Sequence, residues 1–172
     1  MLSRESSELS AAGNRITLRQ PQPGDFGWVV QSHGELYARE YGWNSEFEAL
    51  VARIVTDYVD HLDPERERAW IAMLSGERVG SVFLVKQSDS VAKLRLLLVD
   101  PAARGHGLGR RLVDECTSFA RAAGYAKIVL WTQSVLTAAR HIYEGAGYRL
   151  VKSEPNRSFG ADLVSETWEL EL

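Results

Sequence analysis

Val99-Asp100-Pro101-Ala102-Ala103-Arg104-Gly105-His106-Gly107-Leu108-Gly109-Arg110-Arg111-Leu112 is the stretch on which the fold turns. The aliphatic run Leu96-Leu97-Leu98-Val99 stops at Asp100-Pro101, so a strand ends there. Leu108, Leu112, Val113, Cys116, Phe119 and Ala120 then recur at helical steps, so a helix begins inside the glycine-rich loop and Gly124 stops it. The first amides of a helix have no partner within it, and the helix dipole favours an anion beside them. Gly105, Gly107 and Gly109 carry no Cβ, so the backbone can wrap closely around a diphosphate. Arg104, Arg110 and Arg111 add positive charge. The spacing excludes two other anion loops. A nucleoside-triphosphate loop needs Gly-Lys-Ser/Thr, but Arg110 follows Gly109. A dinucleotide loop needs Gly-x-Gly-x-x-Gly, but the order here is Gly-x-Gly-x-Gly.

Upstream, Ile16 to Arg19 alternates as a short strand that Pro21, Pro23 and Gly24 end, with Asp25 placed to cap the next helix. Helical spacing runs from Phe26 to about Tyr41. After Gly42-Trp43-Asn44, Ser45 is expected to cap a second helix, whose apolar stripe extends from Phe47 to Leu62. Three strands follow, Ala69–Leu74, Val79–Lys86 and Ala92–Val99, joined by tight turns as an antiparallel meander. Downstream of the Gly-rich helix come a strand at Lys127–Thr132, a helix from Thr137 to about Ala146 ended by Gly147, and strands at Tyr148–Lys152 and Thr167–Leu172. The order is β-α-α-β-β-β-α-β-α-β-β. The strand–helix–strand unit at 92–132 is placed to pair in parallel. The expected fold is therefore α/β of the α+β type, with a central mixed, mostly antiparallel sheet of about seven strands and about four helices. Residues 15–172 form one domain behind a polar, flexible leader at 1–14.

Composition narrows the function. Hydrophobic residues make up 45% of the 172, enough to bury a core. The formal net charge of −3 argues against a nucleic-acid binder. No run reaches the roughly 18 apolar residues of a membrane span, and the first residues lack the apolar stretch of an export signal, so the expected location is the cytoplasm. A single cysteine, Cys116, excludes an internal disulfide, and the four histidines show no ligand spacing, so no metal is expected.

Arg104-Gly105-His106-Gly107-Leu108-Gly109 resembles the Arg/Gln-x-x-Gly-x-Gly/Ala signature of the GNAT N-acetyltransferase superfamily, and Leu96 to Pro101 looks like that family's central strand. Ala139-Arg140-His141-Ile142-Tyr143-Glu144-Gly145-Ala146-Gly147-Tyr148 is similar to its second signature, Ala-x-x-Leu-Tyr-x-x-x-Gly-Phe/Tyr. Gly34 to Tyr37, Tyr41 to Trp43 and Ala92 to Val99 look like acetyltransferase domains fused behind MarR-type regulators. The resemblance implies acetyl-CoA as co-substrate. Arg104, Gly105, His106, Gly107, Leu108, Gly109 and Arg110 would hold its diphosphate. Leu97, Leu98 and Val99 would offer backbone to its pantetheine arm, and Tyr143 would act as acid toward the departing thiolate. Two departures stand out. Many relatives carry Asn where this chain has Leu136, so Gln133 or Ser134 would have to substitute. Many carry a Glu on the central strand as base, whereas this strand reads Lys93-Leu94-Arg95-Leu96.

An alkylammonium ion is no nucleophile, so a base is still required. Glu35 and Glu40 are candidates for binding the ammonium or removing its proton through water, and His33 is a further candidate base by its intrinsic pKa. Lys93 and Arg95, two apart on a strand, share a face and would suit an acceptor bearing a carboxylate or phosphate. Glu35, Tyr37, Tyr41, Trp43, Lys93 and Arg95 are thus the expected acceptor residues. The function expected is acetyl transfer to a small primary amine. The alternatives are a non-catalytic acetyl-CoA sensor and a protein N-acetyltransferase. A homodimer is expected if the last strand, Thr167–Leu172, forms an exposed edge.

Overall fold

The computed structural model describes residues 15–172; the leader expected over 1–14 lies outside them. In chain order the elements are β1 (Thr17–Arg19), α1 (Asp25–Tyr41), α2 (Ser45–Asp60), β2 (Arg68–Leu74), β3 (Glu77–Lys86), β4 (Val91–Val99), a 3₁₀ turn (Pro101–Ala103), α3 (Leu108–Ala122), β5 (Lys127–Gln133), α4 (Thr137–Gly145), β6 (Arg149–Ser158) and β7 (Ala161–Glu171). The strands form one sheet in the order β1-β2-β3-β4-β5-β7-β6, antiparallel throughout except for β4 and β5. Helices α3 and α4 pack on one face over Leu94, Leu112, Val113, Cys116, Ile128 and Leu130. Helices α1 and α2 cover the other over Val29, Val51, Tyr58, Ile71 and Phe83. Among the described residues, no helix is long and apolar enough to cross a membrane.

Two helix starts differ from expectation. Gly24, at φ 97°, occupies the cap of α1, and Asp25 is its first residue. The Asp25 carboxylate is fully buried and serves a different purpose. It accepts hydrogen bonds from Arg19 Nη1 (2.5 Å), Arg78 Nε (2.7 Å) and the Gln22 amide (2.6 Å), joining β1, β3 and α1. Burial alone would raise its pKa, but these cationic and amide donors hold it well below the usual carboxylate range. At α2 the cap is Asn44, whose Oδ1 accepts from the Glu46 amide at 3.0 Å, and Ser45 is already helical.

The last two strands are longer than the sequence pattern indicates. Strand β6 is the sheet edge and is exposed almost throughout, so Ser153 to Asn156 shows no alternation to read, and Pro155 sits where an edge tolerates it. The hairpin turns at Phe159 and Gly160, both with positive φ (57° and 77°). Strand β7 is not the exposed edge: it pairs with β5 on one side and β6 on the other. The ground for expecting a homodimer through that strand is therefore absent.

The feature that makes the site lies at the sheet's centre. Strands β4 and β5 pair only at Val91–Lys93 against Lys127–Val129, then diverge. Beyond Lys93, the β5-facing edge of β4 has no strand partner. Register against β3 also slips by one between Ser81 and Phe83, a β-bulge centred on Leu96, whose φ is 54°. Ser81 Oγ donates to the Leu96 carbonyl at 2.9 Å, satisfying an acceptor that the bulge removes from the ladder.

Candidate functional site

The divergence of β4 and β5 opens a cavity of about 410 Å³ that runs through the sheet. From the α1–α2 side it is lined by His33, Tyr37, Trp43, Phe47 and the apolar face of α2. From the sheet come Lys93 to Leu97 and Trp131 to Gln133, and from the α4 side Leu136, Ala139 and Tyr143. Two ligands can therefore meet within it from opposite faces of the sheet. No Asp or Glu lines it.

The back wall is Tyr143. Helix α4 is anchored there by Arg140, whose Nε donates to the buried Glu166 at 2.9 Å, and Glu166 also accepts from Trp168 Nε1 at 3.0 Å. The Tyr143 ring packs against Tyr148 and Trp168 and is 5% exposed. Burial pushes its phenol well above its ordinary range, with the nearby Tyr37 adding to the shift, so the group stays protonated across working pH.

The front wall is aromatic. Tyr37, Trp43, Phe47 and Phe159 pack with ring centroids 4.7 to 5.2 Å apart. Phe159 arrives from the β6–β7 turn, where its carbonyl accepts from the Asn44 amide at 3.0 Å. Sequence reasoning missed Phe159, because a turn residue contributes no periodic signal. It also missed Trp131, which lies at the cavity while 44% exposed.

Lys93 and Arg95 both line the cavity, half-buried. Among the described residues neither forms an ion pair. Burial lowers the pKa of both; Arg95 adds to the shift on Lys93, and only a distant Asp57 opposes that on Arg95. Gln133, fully buried, presents an Nε2 with no hydrogen-bond partner.

The other expected acceptor residues lie elsewhere. Glu35 is exposed on α1, accepts from Gln31 Nε2 at 3.0 Å and does not line the cavity. Tyr41 packs on Tyr37 and Trp43 but stays outside it. Glu40 is paired with Arg104 at 2.7 Å. Helical geometry explains this: His33 and Tyr37, four apart, face the sheet, while Glu35 is rotated away from them.

The Gly-rich loop leads from β4 into α3. Gly105 and Gly107 have φ of 81° and 71°, and a Cβ at either would meet nothing within 4 Å, so both border open space. Gly107 caps α3 without a side-chain bond, leaving the first amides of the helix to an outside acceptor. Gly109 has a different reason to be small: a Cβ there would lie 2.5 Å from Ile142 Cδ1, so it lets α3 and α4 approach. The arginines partly serve the scaffold. Arg110 donates to Asp114 and to the Gly145 carbonyl, and Arg111 to the Ile16 carbonyl. His106 and Leu108 line a second cavity of about 270 Å³ with Arg15 and Arg111. The open amides, the unpaired edge of β4 at Leu97 to Val99 and the through-sheet cavity fit a ligand with a diphosphate at one end and an extended, amide-bearing arm. Coenzyme A has that form.

Residues 28–148 match the acetyltransferase (GNAT) family. The chain is 34% identical over 101 residues to an N-acetylaspartate synthetase of Danio rerio, covering 56% of this chain and 36% of that protein. It is 27% identical over 164 residues to a mycothiol acetyltransferase of Beutenbergia cavernae, covering 86% of this chain and 53% of that protein. The chain thus spans about a third to a half of the length of these relatives. In fold it matches a GNAT family acetyltransferase from Elizabethkingia anophelis with acetyl-CoA bound, at TM-score 0.65 and 16% identity over 91% of this chain and 98% of that one. It also matches a ribosomal-protein-alanine N-acetyltransferase from Brucella melitensis, at TM-score 0.71 and 17% identity over 91% and 99%.

Proposed function

The chain belongs to the GNAT acetyltransferase family, and on that premise we propose that it transfers the acetyl group of acetyl-CoA to the primary amine of a small acceptor that also carries an anionic group. Acetyl-CoA supplies an activated acyl group and a thiolate leaving group. Amides at the start of α3 would hold its diphosphate, and the free edge of β4 at Leu97, Leu98 and Val99 would hold its arm. Tyr143 would give its proton to the departing sulfur, a role that a buried, fully protonated phenol suits.

The observation that carries the acceptor class is the pair Lys93 and Arg95. A half-buried cation without a counter-ion costs stability, and a site that keeps two of them beside one cavity is built for an anion that arrives with the substrate. An Arg–carboxylate pair adds bidentate geometry, which orients the amine for attack. The similarity to N-acetylaspartate synthetases supports the same class, since the product named there derives from an amine bearing two carboxylates.

The test is thiol release from acetyl-CoA with matched acceptors: aspartate and glutamate against asparagine, β-alanine, ethylamine and spermidine. Aspartate or glutamate should give the highest kcat/KM. Preference for ethylamine or spermidine would overturn the acceptor class. CoA binding without thiol release on any amine would point instead to a sensor module.

A further inference from the structure

We infer that His33 is the proton acceptor for the attacking amine, its Nε2 lone pair receiving the proton that nitrogen loses as the new C–N bond forms. This rests on the acetyl-transfer reading above and supplies the base that the central strand lacks.

Four observations carry it. First, the imidazole lines the cavity and is only 2% exposed. Second, its tautomer is fixed: Nδ1 faces the Val29 carbonyl at 2.7 Å, so Nδ1 bears the hydrogen and donates it. Nε2, on the far side of the ring from that bond, is then a bare acceptor. Third, Nε2 is buried and has no hydrogen-bond partner. An unfilled buried acceptor costs free energy unless a ligand supplies the donor. Fourth, nothing else in the cavity can take a proton at neutral pH. It contains no carboxylate, its two lysine and arginine side chains are cations, and burial keeps Tyr37 and Tyr143 protonated.

The ring is held for this use. It stacks on Tyr37 at 5.8 Å with 6° between the planes and meets Phe47 at 6.2 Å. Desolvation pushes its pKa down to about 4, the Val29 bond opposing only in part, so it is neutral throughout the physiological range. The charged groups around it are few. Glu48 of α2 rests over Gly34 and is exposed, and Lys93 and Arg95 lie on β4 at the same cavity.

A weak base suffices because of when it acts. Lys93 and Arg95 disfavour a third positive charge, so the acceptor enters as the free amine. Its lone pair forms the bond to the acyl carbon, and the C–S bond breaks with its electron pair going to sulfur. The nitrogen proton becomes far more acidic as that bond forms, and it passes to His33 Nε2. Tyr143 gives its proton to sulfur, and solvent restores both side chains.

Two measurements test this with aspartate as the acceptor probe. ¹⁵N NMR of the parent should show His33 neutral, with the hydrogen on Nδ1, from pH 6 to 8. A charged ring or an Nε2–H tautomer would overturn the assignment, whatever the enzyme's activity. In kinetics, His33→Gln should bind acetyl-CoA and melt like the parent but lose about 10²-fold or more in kcat. Its kcat should also climb with pH between 6 and 8, where the parent shows no His33 ionisation. A loss under about threefold with a pH profile parallel to the parent's would overturn the role. If the parent itself releases no thiol with any amine of the panel, the acetyl-transfer reading fails instead, and the NMR result still decides the tautomer.

Discussion

Replacing Arg95 by methionine separates function from stability in one experiment. The unbranched stem is kept, so packing against the cavity wall is largely preserved. What goes is a half-buried guanidinium with no ion-pair partner among the described residues, which burial already disfavours as a cation. In the folded enzyme without ligand that charge therefore contributes no stability. The melting temperature of Arg95→Met should equal or exceed the parent's, as for other sites that keep a strained or unpaired group for function. Binding should move the other way. A hydrogen bond to a charged group is worth about 1.5–3 kcal/mol, and each 1.4 kcal/mol is about tenfold, so kcat/KM for aspartate should fall roughly 10- to 150-fold. Ethylamine, which is aspartate without either carboxylate, should be acetylated as well as before or better, because a repelling cation has gone. The assay is thiol release with both amines, paired with differential scanning calorimetry. A melting temperature several degrees lower, together with an unchanged aspartate-to-ethylamine ratio, would make Arg95 a structural residue and refute the reasoning.

Three other outcomes follow from the same structure. Tyr143→Phe should lower kcat by about 10²–10⁴-fold with little change in KM for acetyl-CoA, since the phenol matters when charge reaches sulfur; a loss below about threefold with chemistry limiting would reassign it to packing. Gly107→Asp places a side chain at φ 71° and a negative charge at the open start of α3, so calorimetry should show CoA binding weakened more than about tenfold; an unchanged Kd would locate the diphosphate elsewhere. Asp25→Asn should cost about 3–5 kcal/mol in denaturant melts by leaving Arg19 and Arg78 without their carboxylate. Because the folded-state pKa of Asp25 lies below its unfolded value, its contribution is complete above the unfolded carboxylate pKa of roughly 3.9 and is lost as pH falls through the folded one. The variant and the parent should therefore converge in stability under strong acid, and a gap that persists there would refute the ion-pair account.

The elements legible in the sequence are those whose burial is one-sided. Helix α3 shows Leu108, Leu112, Val113, Cys116 and Ala120 at helical spacing, and every one is buried. Strand β6 was legible only at its start because an exposed edge strand imposes no alternation, and its partner β7 was shortened with it. The caps were misread by one residue in each case, and for different reasons. Asp25 looks like a cap because its type suits one, yet two arginines distant in sequence claim its carboxylate, and only the fold brings Arg78 to it. Asn44 and Ser45 are both competent caps, and the β6–β7 turn selects Asn44 by bonding its amide.

The site was legible where period and chemistry agreed, and it failed where the backbone departs from its period. Lys93 and Arg95 follow the two-residue rule because both precede the bulge. After Arg95, alternation would put Leu96 on the α3–α4 side and Leu97 with the acceptor face. Instead, Leu96 packs with the α1–α2 cluster and Leu97 with the other, because the extra residue at the bulge reverses the sense of every position that follows. Nothing in Arg-Leu-Leu-Leu-Val announces where that reversal falls. Its consequence is functional. The bulge lies where β4 parts from β5, so the strand can offer Lys93 and Arg95 to one side of the sheet and a free backbone edge to a ligand threading toward Tyr143 on the other. A regular strand paired along its whole length would close the cavity. A bulge placed two residues earlier would turn Arg95 into the α3–α4 core, where a cation has no anion to meet.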